Sequence, residues 1–135
     1  MDQKAARAAV AKAFKARKVP LRKGHWRLVA PEVTWYVDLR SDGPGPTAPL
    51  RFEAGAWLPV LEQPEPEGGA VDCPLLVDVP LDPRPAAAAE ATAAADALVD
   101  RLESLGTVDS LAEAWRGGRL EGALVDRSLR TLFGD

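Results

Sequence analysis

Between residues 24 and 61 the chain alternates: Trp26, Leu28, Val33, Trp35, Val37, Leu39, Leu50, Phe52, Ala54 and Ala56 are the apolar phase of a pattern with period two. Half-buried strands produce that period, because successive side chains leave an extended backbone on opposite faces. Pro31-Glu32 and the run Asp42-Gly43-Pro44-Gly45-Pro46-Thr47 interrupt it. Three strands result, Trp26 to Ala30, Val33 to Ser41 and Leu50 to about Leu58, joined by a tight turn and a loop. Consecutive strands usually pair with each other, so an antiparallel meander is the economical topology. In the second strand Val33, Trp35, Val37 and Leu39 point one way, and Thr34, Tyr36, Asp38 and Arg40 the other.

The flanks are helical. Residues 2–17 place Ala6, Val10, Ala13 and Phe14 on one stripe and Lys4, Arg7, Lys15 and Lys18 close together on another, and Val19-Pro20 ends the pattern. After the third strand, residues 62–70 (Glu-Gln-Pro-Glu-Pro-Glu-Gly-Gly-Ala) read as an exposed acidic loop. Residues 73–81 give a fourth strand closed by Pro80 and Pro83. Pro74 and Pro80 lack the N–H a central ladder needs, so the strand belongs at an edge. Residues 86–105 form an alanine-rich helix with Leu98, Val99, Leu102 and Leu105 at helical spacing, stopped by Gly106. Thr107 or Asp109 caps a short helix through Trp115 that Gly117-Gly118 ends, and Leu120 to Phe133 supplies a last amphipathic segment.

The expected fold is therefore α+β: an N-terminal helix, an antiparallel meander of three to four strands, and C-terminal helices on one face of the sheet. A chain of 135 residues, 47% hydrophobic and 27% charged, suits one domain over 1–135, with a basic helix at 2–17, a sheet at 25–81 and a helical part at 86–133. Phe14, Trp35, Val37, Phe52, Ala54, Leu98, Leu102 and Trp115 are expected in its core. The sole cysteine, Cys73, excludes an intramolecular disulfide and a thiolate zinc cluster, which favours a reducing compartment. With no secretion signal and no apolar run long enough to span a bilayer, cytoplasmic residence is the default.

Charge is distributed unevenly. Residues 1–27 hold nine basic groups and one acid, a net of +8; the remainder holds eight basic and nineteen acidic groups, a net of −11. A basic helix can bind nucleic acid through counterion release, but no aromatic is interleaved to stack on a base, so a solvated face balanced by the acidic remainder is the stronger explanation.

The residues that carry chemistry are sparse. His25 is the only histidine, which rules out a two-imidazole site; a lone histidine can still be a general base. Between Gly24 and Trp26 at a strand entry a structurally neutral role is commoner. Cys73 beside an apolar strand is more often a small hydrophobe than a nucleophile. His25 and Cys73 form the one nucleophile–base combination to test, and nothing in their spacing brings them together. Asp38 and Glu53 sit opposite each other if the hairpin register allows it, and paired carboxylates can hold magnesium. Arg40 and Arg51 are equally near, so cross-strand ion pairs on a solvated sheet face explain them better. Neither Gly43-Pro44-Gly45 nor Gly117-Gly118 has the spacing of a phosphate-binding loop. Trp26, Trp35 and Trp57 on three strands are better explained as core than as a binding face. No catalytic, cofactor-binding or metal-binding residue is assigned.

The run Leu21-Arg22-Lys23-Gly24-His25-Trp26-Arg27, followed by Val33-Thr34-Trp35-Tyr36-Val37-Asp38-Leu39-Arg40-Ser41 and Leu50-Arg51-Phe52-Glu53-Ala54-Gly55-Ala56-Trp57, resembles the domain of unknown function 4304 family of small bacterial proteins. Members typically have an N-terminal helix, a Lys-rich turn ending in Gly before an aromatic strand, a strand ending in a Gln-Lys-Ser-like triplet and one ending in an Asn-Leu-Gly-like triplet. Here Leu39-Arg40-Ser41 and Glu53-Ala54-Gly55 stand at those positions, and Asp72-Cys73 stands where the family often has a Cys before its next strand. The likeness covers residues 5–80. It implies the fold and transfers no catalytic residue, since the family has no established activity.

Two functions fit. One is a protein-interaction module, of immunity type for example, that meets a partner's basic surface with Glu62, Glu65 and Glu67. The other is an enzyme or nucleic-acid binder working through the basic helix and the polar sheet face, with His25, Asp38 and Arg40 as actors. The first is favoured: a protein partner, without specific nucleic-acid binding, cofactor or membrane. On it, His25→Ala and Cys73→Ser leave activity within a few-fold of the parent.

Overall fold

The computed structural model describes residues 3–46, 48–80, 88–120 and 122–134. Leu81 and Pro83, expected to close the fourth strand, and residues 86 and 87, expected to open the long helix, lie outside the described residues. The architecture is α+β: helix α1 (Gln3–Ala16), strands β1 (Leu21–Arg22), β2 (His25–Val29), β3 (Thr34–Ser41), β4 (Leu50–Trp57) and β5 (Leu75–Pro80), helices α2 (Ala88–Ser104) and α3 (Val108–Arg116), strand β6 (Leu124–Val125) and helix α4 (Arg127–Leu132). All strands are antiparallel neighbours in sequence order. The meander is as the alternation requires, but the sheet has six strands where three to four were expected. The additional ones, β1 and β6, are two residues long, too short to show a period.

The helices cover one sheet face. Ala6, Val10, Ala13 and Phe14 of α1, Leu98, Val99 and Leu102 of α2, and Val33, Trp35, Val37, Leu39, Phe52 and Ala54 of the sheet form one buried cluster. Trp35 is wholly buried and donates its indole N–H to the Leu105 carbonyl at 3.1 Å, which removes the cost of hiding that donor. Phe14 meets Trp26 edge-on, with ring centroids 4.9 Å apart. Trp115, expected in the core, is only half-buried and carries the Arg130 guanidinium 5.6 Å from its ring centre. Its helix turns Leu111, Ala112 and Ala114 inward instead.

Several boundaries moved for local reasons. Lys18 leaves the cationic stripe of α1 because it sits beyond the helix with φ 60°. Residues 120–133 are not one amphipathic segment: Gly122 adopts φ 76°, β6 pairs with β5 at Leu75 and Leu76, and Asp126 caps α4. The edge position expected for the fourth strand holds beyond those two residues only. Thr107 caps α3 through a reciprocal pair with Ser110. Gly106 matters for space: a Cβ there would fall 2.7 Å from the Cβ of Ala30, on the turn joining β2 to β3.

Candidate functional site

The second face of the sheet is not the solvated surface the alternation implied. Thr34, Tyr36, Asp38 and Glu53 are all buried. The acidic loop after β4 folds back over this face, and its 3-10 turn, Gly69–Asp72, lies against β3 and β4. Gly55 makes the approach feasible, since a Cβ there would stand 2.7 Å from Ala70 Cα and 2.9 Å from Cys73 Cβ. Gly69, at φ 76°, lies over His25 and Asp38; a Cβ on it would fall 2.6 Å from His25 Cε1 and 2.7 Å from Asp38 Oδ2. Two glycines therefore let a turn seal the face.

Under that turn, His25 donates from Nδ1 to Asp38 Oδ1, and Ala70 donates its backbone N–H to Asp38 Oδ2 at 3.1 Å. A carboxylate accepts, so Nδ1 is the donor, and Nε2 is the ring nitrogen that Asp38 does not engage. Asp38 is 6% exposed, and both of its oxygens are engaged. That holds the imidazole in one orientation.

Beside His25 opens a cavity of about 350 Å³ bordered by Arg22, Lys23, His25, Arg27 and Tyr36 and by Glu65 and Glu67 of the acidic loop. Register explains the pairing: Arg27 lies opposite Tyr36. Glu65, from the acidic loop, places one carboxylate oxygen on both, 2.9 Å from Arg27 Nη2, 3.0 Å from Arg27 Nε and on the Tyr36 hydroxyl. The Tyr36 hydrogen bond, backed by Arg27, holds the Glu65 carboxyl below the usual carboxylate range. Burial and the neighbouring carboxylate push the Tyr36 hydroxyl up. The cavity thus holds a carboxylate of the protein's own loop on Arg27 and Tyr36.

His25 and Cys73 do not meet. The Cys73 thiol contacts the Gly69 carbonyl at 3.6 Å, and burial, with Asp72 and Asp38 nearby, pushes its pKa to about 12. A thiol so protonated is a poor nucleophile at neutral pH. Asp38 does lie opposite Glu53, and Glu53 opposite Asp78. Arg40 binds Glu53 at 2.7 Å, while Arg51 reaches Asp42, Glu53 and Asp78, so the expected cross-strand ion pairs form at Glu53, whereas Asp38 takes His25 as its partner. Among the described residues no group of three or more such side chains is arranged to hold a metal ion.

Trp26 joins the core, whereas Trp57, opposite Thr34, turns to the second face and donates its indole N–H to the Gln63 carbonyl. The three tryptophans therefore line no common surface. Some of the basic segment is neutralised internally: Arg17 pairs with Asp96, Asp100 and Glu103 of α2, and Arg7 donates to the Leu39 carbonyl. No helix among the described residues is long and apolar enough to cross a membrane.

No protein-family model, curated protein or solved structure matches the chain. The resemblance drawn over residues 5–80 rests on the sequence alone.

Proposed function

We propose that this protein is a cytoplasmic interaction module, of the kind an immunity protein is, that docks on a protein partner by receiving an acidic group in the cavity at the first edge of the sheet. Membership of the domain of unknown function 4304 family belongs to the same proposal. The observation that carries it is the Glu65 carboxylate held jointly by Arg27 and Tyr36. Charge-assisted bonds to a carboxylate are the strong, orientation-specific ones, and Arg22 and Lys23 border the same cavity. The direction of recognition differs from the one the acidic loop suggested: Glu65, itself exposed, is spent on Arg27 and Tyr36 of its own molecule, and Glu67 borders the same cavity. The partner's contribution is negative charge.

Calorimetric titration with a short peptide of alternating Glu and Val, beside its Gln-for-Glu counterpart, tests this. Binding of the Glu peptide alone, weakened about tenfold or more by Arg27→Ala and by Tyr36→Phe, supports it; equal binding of both peptides, or none, overturns it. Submicromolar, salt-sensitive binding of DNA or RNA that vanishes on replacing Lys4, Arg7, Lys15 and Lys18 also overturns it.

A second reading has one specific observation behind it. His25, oriented by buried Asp38 with Nε2 not engaged by it beside a charged cavity, has the geometry of a general base. In that reading His25→Ala lowers turnover about a hundredfold with the fold intact, whereas the interaction module keeps partner binding within a few-fold.

A further inference from the structure

The edge of the sheet next to the cavity is unfinished. Arg27 turns its N–H outward to the Pro20 carbonyl at 2.9 Å, and Ala30 turns its N–H inward to Val33 at 2.9 Å. Antiparallel strands alternate these directions, so Val29 presents its N–H and carbonyl outward, past the end of β1. No described group pairs with them. Val29 is 64% exposed. Alongside runs a groove of about 510 Å³ bordered by Lys18, Arg27, Val29 and Pro31 and by Arg17 with Glu103, which pair with each other at 3.6 Å. Arg27 borders both this groove and the cavity that holds Glu65.

We infer that the partner's docking element is an extended acidic segment that adds a strand to β2 at Val29 while one of its carboxylates enters the cavity over Arg27. This rests on the interaction reading above and specifies its geometry. Strand addition supplies affinity through main-chain hydrogen bonds and leaves specificity to alternate side chains, which is the division of labour found here between Val29 and the Arg27–Tyr36 pair. Charge selects the occupant. From residue 15 to residue 27 the chain has Lys15, Arg17, Lys18, Arg22, Lys23 and Arg27 and no acid. Arg17 is committed to α2, but Lys18, Arg22 and Lys23 form no ion pair among the described residues and border the edge or the cavity. A neutral or basic strand would meet that charge unpaired; an acidic one complements it. Like charges would also oppose a second copy of this chain pairing edge to edge.

The discriminating experiment uses the full chain and the same Glu/Val peptide, together with a version N-methylated along its backbone, and follows amide hydrogen exchange with and without peptide. Strand addition requires that the Val29 amide gain protection of about tenfold or more on binding and that N-methylation weaken binding by a similar factor. If the peptide binds in an Arg27-dependent way, yet Val29 gains no protection and the N-methylated version binds equally, strand addition is overturned and the cavity reading stands. Absence of any binding overturns both. Concentration-dependent dimerisation that protects Val29 without peptide assigns the edge to a second copy and likewise overturns the acidic-segment proposal.

Discussion

His25 and Asp38 face each other across β2 and β3 one position beyond the Trp26–Val37 pair, and their side chains are joined beneath the turn that carries Gly69 and Ala70. Asp38 thus ties a strand, a neighbouring strand and a loop at one carboxylate. Asp38→Ala strands the Ala70 N–H in a sealed layer, and an unsatisfied buried donor costs about 1–3 kcal/mol. Urea unfolding should show a loss of that size. Asp38→Asn, which keeps an acceptor oxygen for Ala70, should lose less.

Gly55→Ala should destabilise the protein by about 1–3 kcal/mol, the usual cost of overpacking, because its Cβ meets the backbone of Ala70 and the Cβ of Cys73. Gly69→Ala adds the strain of a side chain at φ 76°. In both variants Cys73 should become more reactive as the turn lifts, measurable by thiol labelling under native conditions.

In the parent protein Cys73 should label slowly. With its pKa near 12, the thiolate at pH 8 is about a thousandfold scarcer than for an ordinary thiol. The same shift makes stability depend on alkaline pH. A folded-state pKa raised above the unfolded one contributes stability that is full below about pH 8.5, the unfolded thiol value, and is lost as pH rises toward about 12. Cys73→Ser should flatten that limb of the unfolding curve.

Removing the internal carboxylate should open the cavity. Glu65→Gln is expected to raise affinity for the Glu/Val peptide about tenfold, close to 1.4 kcal/mol, by freeing Arg27 and Tyr36 from their present partner. Unchanged affinity in calorimetry would show that Glu65 does not compete for the site. Because the Glu65 carboxyl is held below its ordinary range, the stability it contributes is present above the unfolded value of about pH 4.3. It fades as pH falls through the folded value, and Glu65→Gln should lose that acid dependence.

Much of this was legible in the residues. The period of two set the strands and their faces, and the turn at Pro31-Glu32 set the register: a tight turn there puts Trp26 opposite Val37 and Arg27 opposite Tyr36. Carried one step further, the same register places His25 opposite Asp38, so half of the candidate site followed from local turn geometry. Asp38 opposite Glu53, with Arg40 and Arg51 between carboxylates, followed in the same way.

The other half was decided by the tertiary structure. Pattern and register specify which neighbours a strand residue has within the sheet, because those contacts repeat with the backbone. They say nothing of what an irregular segment covers. Residues 62–70, acidic and rich in proline and glycine, carry no apolar period to declare a buried side, so their return over the second face was invisible. That return depends on space left by Gly55 and Gly69, on the Ala70 N–H finding Asp38, and on Glu65 finding Arg27 and Tyr36. Each is a non-local contact that exists only once the sheet has formed. It converted a face expected in solvent into a sealed layer with a charged cavity at its rim.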